Sequence, residues 1–193
     1  MRIVRRPTSR LAEIVRHPFY LSLLCDFLQN EEPNAPFPEI PGKLIDKWVQ
    51  DQLADDNEVA WFHEGGSDSL AATAALMVKR DTQSVSPDDL KNARVVLHPG
   101  WPRALDKACF CRLLSSSARS GCAKLIAFPN QYVRDYFAAI WLSARFAEGK
   151  RQEIVDLLHD TAWDKPFIFA IQKGVDVPTL LQVMNCLIET DLT

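Results

Sequence analysis

The sequence predicts a mainly α-helical protein: a small helical domain, a winged-helix domain with a short β wing, and C-terminal helices. Apolar residues recur with a helical period along most of the chain. Glycine is scarce, at 7 of 193 residues, and long β-branched alternations are absent. The middle of the chain reads as helix, short strand, two helices and a hairpin, which is the winged-helix order. We predict domains at 1–62 and 63–148, with a helical linker or the start of helical repeats at 149–193.

The N-terminal part predicts two helices followed by a loop. Thr8 and Ser9 are good N-caps for a short helix ending near Arg16, and Pro18 suits the first residue of the second helix. The apolar face of this second helix is wide enough to predict almost complete burial. The face comprises Leu21, Leu24, Cys25 and Leu28, widened by Phe19, Leu23 and Phe27. Residues 31–42 contain four prolines and therefore predict an extended loop.

Two further amphipathic helices follow the loop. The first carries a stripe at i, i+4, i+8 spacing that consists of Leu44, Ile45, Trp48, Val49 and Leu53. Gly65-Gly66 predicts a break, after which Ser67 or Asp68 can cap the next helix. The stripe of that helix consists of Leu70, Ala74, Met77 and Val78.

The central segment predicts the helices and the wing. Ser84 and Val85 read as a short strand that leads into a helix near 87–95, with Ser86 as its N-cap and Pro87 as its first residue. A helix is predicted from Ala104 to Leu114. The small-residue turn at 115–121 and the apolar run 122–128 then predict a β-hairpin.

The C-terminal part carries the strongest helical pattern. Asn130 is a natural N-cap for this helix, and Arg134, Asp135 and Arg145 fall outside its apolar stripe. The stripe comprises Val133, Tyr136, Phe137, Ile140, Trp141 and Ala144. Three more helices are predicted near 151–158, 162–173 and 178–190.

The charge, the apolar runs and the cysteines limit where the protein can act and what it can bind. The net charge is −3, so no overall basic field draws the chain to nucleic acid or to anionic membranes. No apolar run reaches the roughly 18 residues that a membrane-spanning helix needs. The N-terminus has arginines but no signal-peptide pattern. The five cysteines lie mostly in apolar helical patterns, which predicts reduced core thiols and a cytoplasmic protein.

The sequence predicts no catalytic residues and no metal site. A P-loop needs the pattern G-x-x-x-x-G-K-[ST], which neither Gly42-Lys43 nor Gly149-Lys150 completes. A Rossmann glycine pattern is absent. Cys109 and Cys111 are two apart, so they point to different sides of a helix and cannot chelate one ion together. No histidine is placed by sequence beside a nucleophile and an orienting acid.

The winged-helix pattern raises the alternative of a DNA-binding regulator. The helix before the wing shows Arg103, Lys107 and Arg112, and the hairpin adds Arg119 and Lys124. This basic surface is modest for a sequence-specific DNA binder. Much of the helix also reads as core, namely Leu105, Cys109, Phe110 and Leu113.

Two segments resemble those of NACHT-type ATPases of the STAND signalling class. Residues 17–25 (HPFYLSLLC) resemble the segment that opens the helical domain after the ATPase core. Residues 128–139 (FPNQYVRDYFAA) resemble the "F-x-H-x-x-F-Q-E-Y-F-A-A" segment of the family's winged-helix domain. Their order and separation match the family. Trp163 and the apolar helix after it resemble the start of the linker or helical repeats that follow.

The resemblance implies a regulatory, protein-binding role without catalysis in this chain. In such proteins this region closes over bound ADP, and exchange for ATP releases it and permits oligomerisation. The resemblance places Pro18 against the adenine and Asn130 where the family has a histidine that contacts the ADP phosphate. Asparagine can donate a hydrogen bond there but carries no charge. The ATPase core itself would lie upstream, in the same chain or a separate one, and the role would fall in bacterial defence or stress signalling.

Other interpretations stay open from the sequence alone. They are the DNA-binding winged helix, a stand-alone helical adaptor and, least favoured, a hydrolase whose site assembles only in space. A continuous basic face on helix 104–114 and its wing favours DNA, whereas an apolar or mixed face favours packing against a protein. If the chain packs within a larger protein, part of Phe19–Leu28 or of helix 162–173 should be exposed.

Overall fold

The computed structural model describes residues 16–30, 41–53, 55–93, 100–117 and 124–174. These residues form a mainly helical structure with a small three-stranded antiparallel sheet, which confirms the predicted fold class at this level. The chain divides into two compact units, residues 1–52 and 53–193. The predicted domain boundaries at 62 and 148 stay predictions. The predicted helix near Thr8–Arg16, most of the proline-rich loop and the helix predicted at 178–190 lie outside the described residues.

The first unit contains helices α1 (Pro18–Asn30) and α2 (Pro41–Gln52). Pro18 is the first residue of α1, as predicted, and its first turn is closed by the Leu21 N–H, which donates to the His17 carbonyl at 3.0 Å. Helix α2 begins at Pro41, inside the range predicted as loop, because proline is well suited to a first helical position. Leu44, Ile45 and Val49 of its predicted stripe are buried.

The prediction that α1 is almost fully buried is wrong for one side of the helix. Leu21, Cys25 and Leu28 share a face at i, i+4, i+7 spacing, and all three are exposed, Leu28 to 57%. Helix α2 packs on the opposite side, where Leu23 and Phe27 lie, so one neighbour covers only that side. The buried residues of α1 are Tyr20, Leu23 and Leu24. This exposure confirms the expectation that part of Phe19–Leu28 is uncovered.

The second unit begins with two helices joined by a kink. Asp55 caps α3 (Asp56–Trp61) by accepting a hydrogen bond from the Glu58 N–H at 2.8 Å. A π-helical turn (Phe62–Gly66) then leads directly into α4 (Ser67–Lys79). The predicted break at Gly65-Gly66 is confirmed, because Glu64 and Gly65 leave the helical conformation, Gly65 at φ 121°. The prediction that Ser67 or Asp68 caps α4 is wrong, because the helical backbone has already begun at this point.

Helix α4 forms the centre of the second unit. Its residues from Ser69 to Val78 are all buried, and it packs most extensively against the long helix α7 (Gln131–Ala147). The buried hydroxyl groups are satisfied within the helix, since Thr73 Oγ1 donates to the Ser69 carbonyl and Ser69 Oγ to the Gly65 carbonyl. Small side chains on α4, such as those of its four alanines, allow neighbouring helices to approach closely.

A short strand and two helices precede the hairpin. Strand β1 (Ser84–Val85) leads into α5 (Pro87–Asn92), and Ser86 forms a capping box with Asp89, as its position predicted. Helix α6 spans Trp101–Phe110 and ends earlier than predicted. It ends because Arg112 adopts φ 59° and the following N–H groups of Leu113 and Leu114 turn back to the Ala108 carbonyl.

The sheet joins β1 to a hairpin. Strands β2 (Ser115–Ser117) and β3 (Leu125–Ala127) pair antiparallel, which confirms the predicted hairpin. Strand β3 lies in the centre and also pairs antiparallel with β1, with Val85 opposite Ile126. Both of these residues are buried. They attach the sheet to the helical core through one face.

The C-terminal helices pack on α7. Helix α8 (Arg151–Leu158) is followed by a single 3₁₀ turn (Thr161–Trp163) and by α9 (Asp164–Gln172). The exposed residues of α9 include Ile168 and Ile171, as expected for helix 162–173. Among the described residues, no helix is long and apolar enough to cross a membrane.

Candidate functional site

The two residues that the resemblance assigns to ADP both lie at helix starts, in different compact units. Pro18 is exposed at the first position of α1. Asn130 is half-buried and extended at φ −158°, and its Oδ1 accepts a hydrogen bond from the Val133 N–H at 3.1 Å. Asn130 is therefore the N-cap of α7, as its position predicted. Nucleotide contacts by Pro18 and Asn130 stay predictions.

Replacing Asn130 with alanine should lower the free energy of unfolding by about 1 kcal/mol, because one N–H of α7 loses its partner. Asn130→Asp is the matched control. Aspartate keeps the accepting oxygen and adds a negative charge near the helix N-terminus, so it should be at least as stable as the native chain. Urea unfolding followed by far-ultraviolet circular dichroism measures both variants. Equal stability of Asn130→Ala and Asn130→Asp would show that the cap contributes nothing.

The aromatic residues of the family-like segment 128–139 are core residues. Phe128 and Phe137 stack, with ring centroids 5.5 Å apart and planes inclined by 26°. Tyr136 meets Phe137 edge-on at 5.3 Å, and its hydroxyl accepts a hydrogen bond from Lys173 Nζ at 2.8 Å. The segment therefore ties strand β3 and the end of α9 to helix α7.

Arg134 and Asp135 are buried, so their predicted place outside the apolar stripe is wrong as a statement of exposure. Arg134 Nε and Nη2 donate to Asp135 Oδ1 at 3.0 and 2.8 Å, and Arg134 Nη1 donates to the Thr82 carbonyl at 3.4 Å. The side chains are only 6% and 1% exposed. Helices on several sides of α7 bury this position. The pair is kept because each charge finds an opposite charge.

The pKa of Asp135 is raised mainly because its carboxyl group is buried. The hydrogen bonds and the charge of Arg134 oppose that rise. Asp135 Oδ2 is buried and has no hydrogen-bond partner among the described residues. The pair lies within the core between α7 and the segment before β1, where loss of either charge would leave the other one buried without its partner.

Two of the three described cysteines have a raised thiol pKa. Burial, and to a smaller extent the nearby carboxylate of Glu58, raises the pKa of Cys111 to about 11. Burial also raises the pKa of Cys109. Thiols with raised pKa values are poor nucleophiles at neutral pH. Cys25 is exposed, which contradicts its predicted core position. The described part of the chain holds no group of three or more potential metal ligands.

The outer face of α6 is where exposed apolar and charged groups meet. Arg103, Asp106, Lys107 and Phe110 recur at i, i+3, i+4, i+7 spacing and so share this face. Phe110 is 77% exposed, so its predicted core position is wrong. The core side of α6 is instead formed by Ala104, Leu105 and Ala108. The signal in the sequence was that Phe110 lies off this buried stripe by roughly half a helical turn.

The basic side chains near Phe110 are only partly available. Lys124, just before β3, donates to Asp106 Oδ1 at 2.7 Å, and this bond raises the pKa of Lys124. Lys107 donates to the Asn57 carbonyl at 3.2 Å and lies over the Trp61 ring at 5.6 Å. Arg103 and Arg112 are exposed. Within the described residues, this face is mixed rather than continuously basic. Arg119 lies outside the described residues.

Strand β3 adds a second apolar side chain near this face. Leu125, next to Lys124 in sequence, is 41% exposed at the start of β3. Because Lys124 contacts Asp106, this end of β3 lies beside α6. We name the group formed by Arg103, Asp106, Phe110, Lys124 and Leu125 the α6–hairpin surface. It is the candidate site of the second unit, because it combines an exposed aromatic ring with an ion pair.

Comparisons with known proteins leave the family open. No protein-family model matches the chain, and no curated protein or solved structure matches it significantly. The resemblance to NACHT-type ATPases therefore rests on residues 17–25 and 128–139, and membership of that family stays a prediction.

Proposed function

We propose that this chain is a non-catalytic, regulatory and protein-binding segment of a NACHT-like, nucleotide-switched signalling protein, acting in the cytoplasm and in bacterial defence. Its α6–hairpin surface would contact the ATPase core or another protein. The resemblance of residues 17–25 and 128–139 supports the family, and the observation that carries the protein-binding role is the exposed Phe110 beside the ion pair of Lys124 and Asp106. An apolar side chain among neutralised charges suits a protein partner better than a phosphate backbone.

The winged-helix assignment of residues 63–148 is part of this proposal. The order α4, β1, α5, α6, β2, β3 is the order that the arrangement requires. The antiparallel sheet with β3 between β1 and β2 supports it further, since the strand before the helix pair returns against the wing. Helix α6 would then occupy the place of the recognition helix.

This segment would contact a nucleotide only together with the ATPase core, which the resemblance places upstream. That core would supply the binding of ADP or ATP phosphates. Pro18 would add an apolar contact to the base, and Asn130 would add a hydrogen bond from its amide nitrogen, because its Oδ1 already caps α7. Without a charge at position 130, the affinity of this segment for phosphate would be low.

The test is co-purification with the NACHT ATPase core encoded upstream in frame or in the adjacent gene. The ADP-loaded core should retain this chain on gel filtration, and the ATP-loaded core should release it. Phe110→Asp should weaken binding by about 30-fold, as loss of a 2 kcal/mol hot spot does. Val59→Asp, which changes another exposed apolar residue of the second unit, is the matched control and should bind normally.

Two results would contradict the proposal. Equal binding by the Phe110→Asp and native chains would show that the α6–hairpin surface is not part of the contact, and absence of any encoded core would favour a stand-alone helical adaptor. The DNA-binding alternative has its own measurement, fluorescence anisotropy with a mixed-sequence duplex. Tight, salt-dependent binding that falls in Arg103→Ala and Arg112→Ala would replace our proposal with a winged-helix DNA regulator.

A further inference from the structure

The first compact unit has a groove between its two helices. The groove has a volume of about 220 Å³. Its apolar surface comes from Leu23 and Phe27 of α1 and from Leu44 and Trp48 of α2. Asp26 and Asp51 also line it, one from each helix. Aromatic rings and carboxylates are thus brought together by the packing of α1 on α2.

The size of the groove limits what it can hold. Pockets that enclose drug-sized molecules have volumes of about 300–1,000 Å³. At about 220 Å³, this groove suits a single side chain better than a nucleotide. It is also open to solvent, with Asp51 52% exposed, so a side chain carried by another protein can enter it.

The charged side chains of the groove have a net negative charge, which favours a positively charged ligand. Asp26 forms no ion pair among the described residues, and Asp51 forms one contact of 3.5 Å with Lys47, which also lines the groove. An exposed i, i+4 pair of this kind is weak and easily exchanged. The two carboxylates against one lysine leave a net negative charge beside the rings of Phe27 and Trp48. Cations bind favourably on the faces of such rings, most strongly on tryptophan.

We propose that this groove binds an arginine side chain presented by a partner protein. A guanidinium group is planar, so it can lie on the Trp48 ring while its N–H groups donate to Asp26 and Asp51. A lysine ammonium offers a point charge without the planar surface and fits less well. This inference does not depend on the relationship to NACHT-type ATPases, because it concerns only the side chains of α1 and α2.

The experiment is an NMR titration of the full chain with the peptide acetyl-Ala-Arg-Ala-amide, with the Trp48 indole N–H as reporter. The resonance is assigned from Trp48→Phe. We expect a saturable shift with a Kd of roughly 1 mM, as ligand efficiency allows for so small a probe. The citrulline peptide has nearly the same shape but no charge, and it should produce no saturable shift. The lysine peptide should bind several-fold more weakly.

Variants connect the binding to the two carboxylates. The double variant Asp26→Asn, Asp51→Asn should weaken arginine-peptide binding at least about tenfold, since each charge-assisted bond lost has a large effect. Asp46→Asn is the matched control, because Asp46 is on α2 but does not line the groove. Equal shifts with the citrulline or lysine peptide would overturn the proposal. So would unchanged binding by a folded double variant.

Discussion

Replacing Arg134 with methionine is expected to lower the free energy of unfolding by about 3–5 kcal/mol. The substitution leaves the Asp135 carboxylate, with a side chain only 1% exposed, without the cation that offsets its burial. It also removes the bond from Nη1 to the Thr82 carbonyl, which connects α7 to the segment before β1. Asp135→Leu should be destabilising to a similar extent, because the guanidinium then stays buried and unpaired. Chemical denaturation of each variant measures these differences.

The double variant Arg134→Met, Asp135→Leu tests whether the two charged residues affect stability as a pair. Once both charges are gone, no buried ion is left unpaired, so the double variant should lose much less stability than the sum of the single ones. Glu153→Gln, which breaks the half-exposed pair with Lys79, is the control and should cost at most about 1 kcal/mol. Additive losses in the double variant would mean that Arg134 and Asp135 do not act as a pair.

The parts of this fold that follow from local chemistry could be predicted. Ser86 and Asn130 cap helices where their side chains can accept a backbone hydrogen bond, and both appear as N-caps. The existence of α7 could be predicted because its apolar spacing continues over about three turns, from Val133 to Ala144. The strand at Ser84–Val85 and the hairpin also agree, although their partners could not be assigned from the sequence.

Burial could not be predicted where it depends on neighbours far along the chain. A stripe indicates one buried side of a helix, but α7 is contacted by α4, α8 and α9, so Arg134 and Asp135 are buried as well. The opposite error occurs at Leu21 and Leu28 of α1, which lack a covering element among those described. Phe110 shows the same limit for the candidate surface. Its exposure follows from which side of α6 meets α4. The spacing places Phe110 on the side opposite Ala104 and Ala108, but the spacing alone does not say which of the two sides is buried.

Trp163, in the 3₁₀ turn Thr161–Trp163, should be the apolar residue of the second unit whose replacement lowers the free energy of unfolding most. Trp163 has no exposed surface, and its ring lies 5.5 Å from that of Trp141, which in turn contacts Lys79 and Arg145. Trp163 therefore fixes α8 and α9 against the central helices. Trp163→Ala should reduce the free energy of unfolding by about 3–5 kcal/mol, since it removes a large buried ring and leaves a cavity.

Trp163→Phe tests whether a smaller aromatic ring at position 163 preserves stability. Ile168→Ala is the control at an exposed apolar residue. Phenylalanine keeps an aromatic ring and removes an indole N–H that has no hydrogen-bond partner, so its loss should be clearly smaller than that of alanine. Ile168, on the neighbouring helix α9, is 54% exposed, and Ile168→Ala should change stability by at most about 0.5 kcal/mol. Limited trypsin digestion provides a second readout, because release of α8 should speed cleavage after the exposed Lys150 or Arg151. If Trp163→Ala matched Ile168→Ala in both measurements, the C-terminal helices would not depend on Trp163 for their attachment to α7.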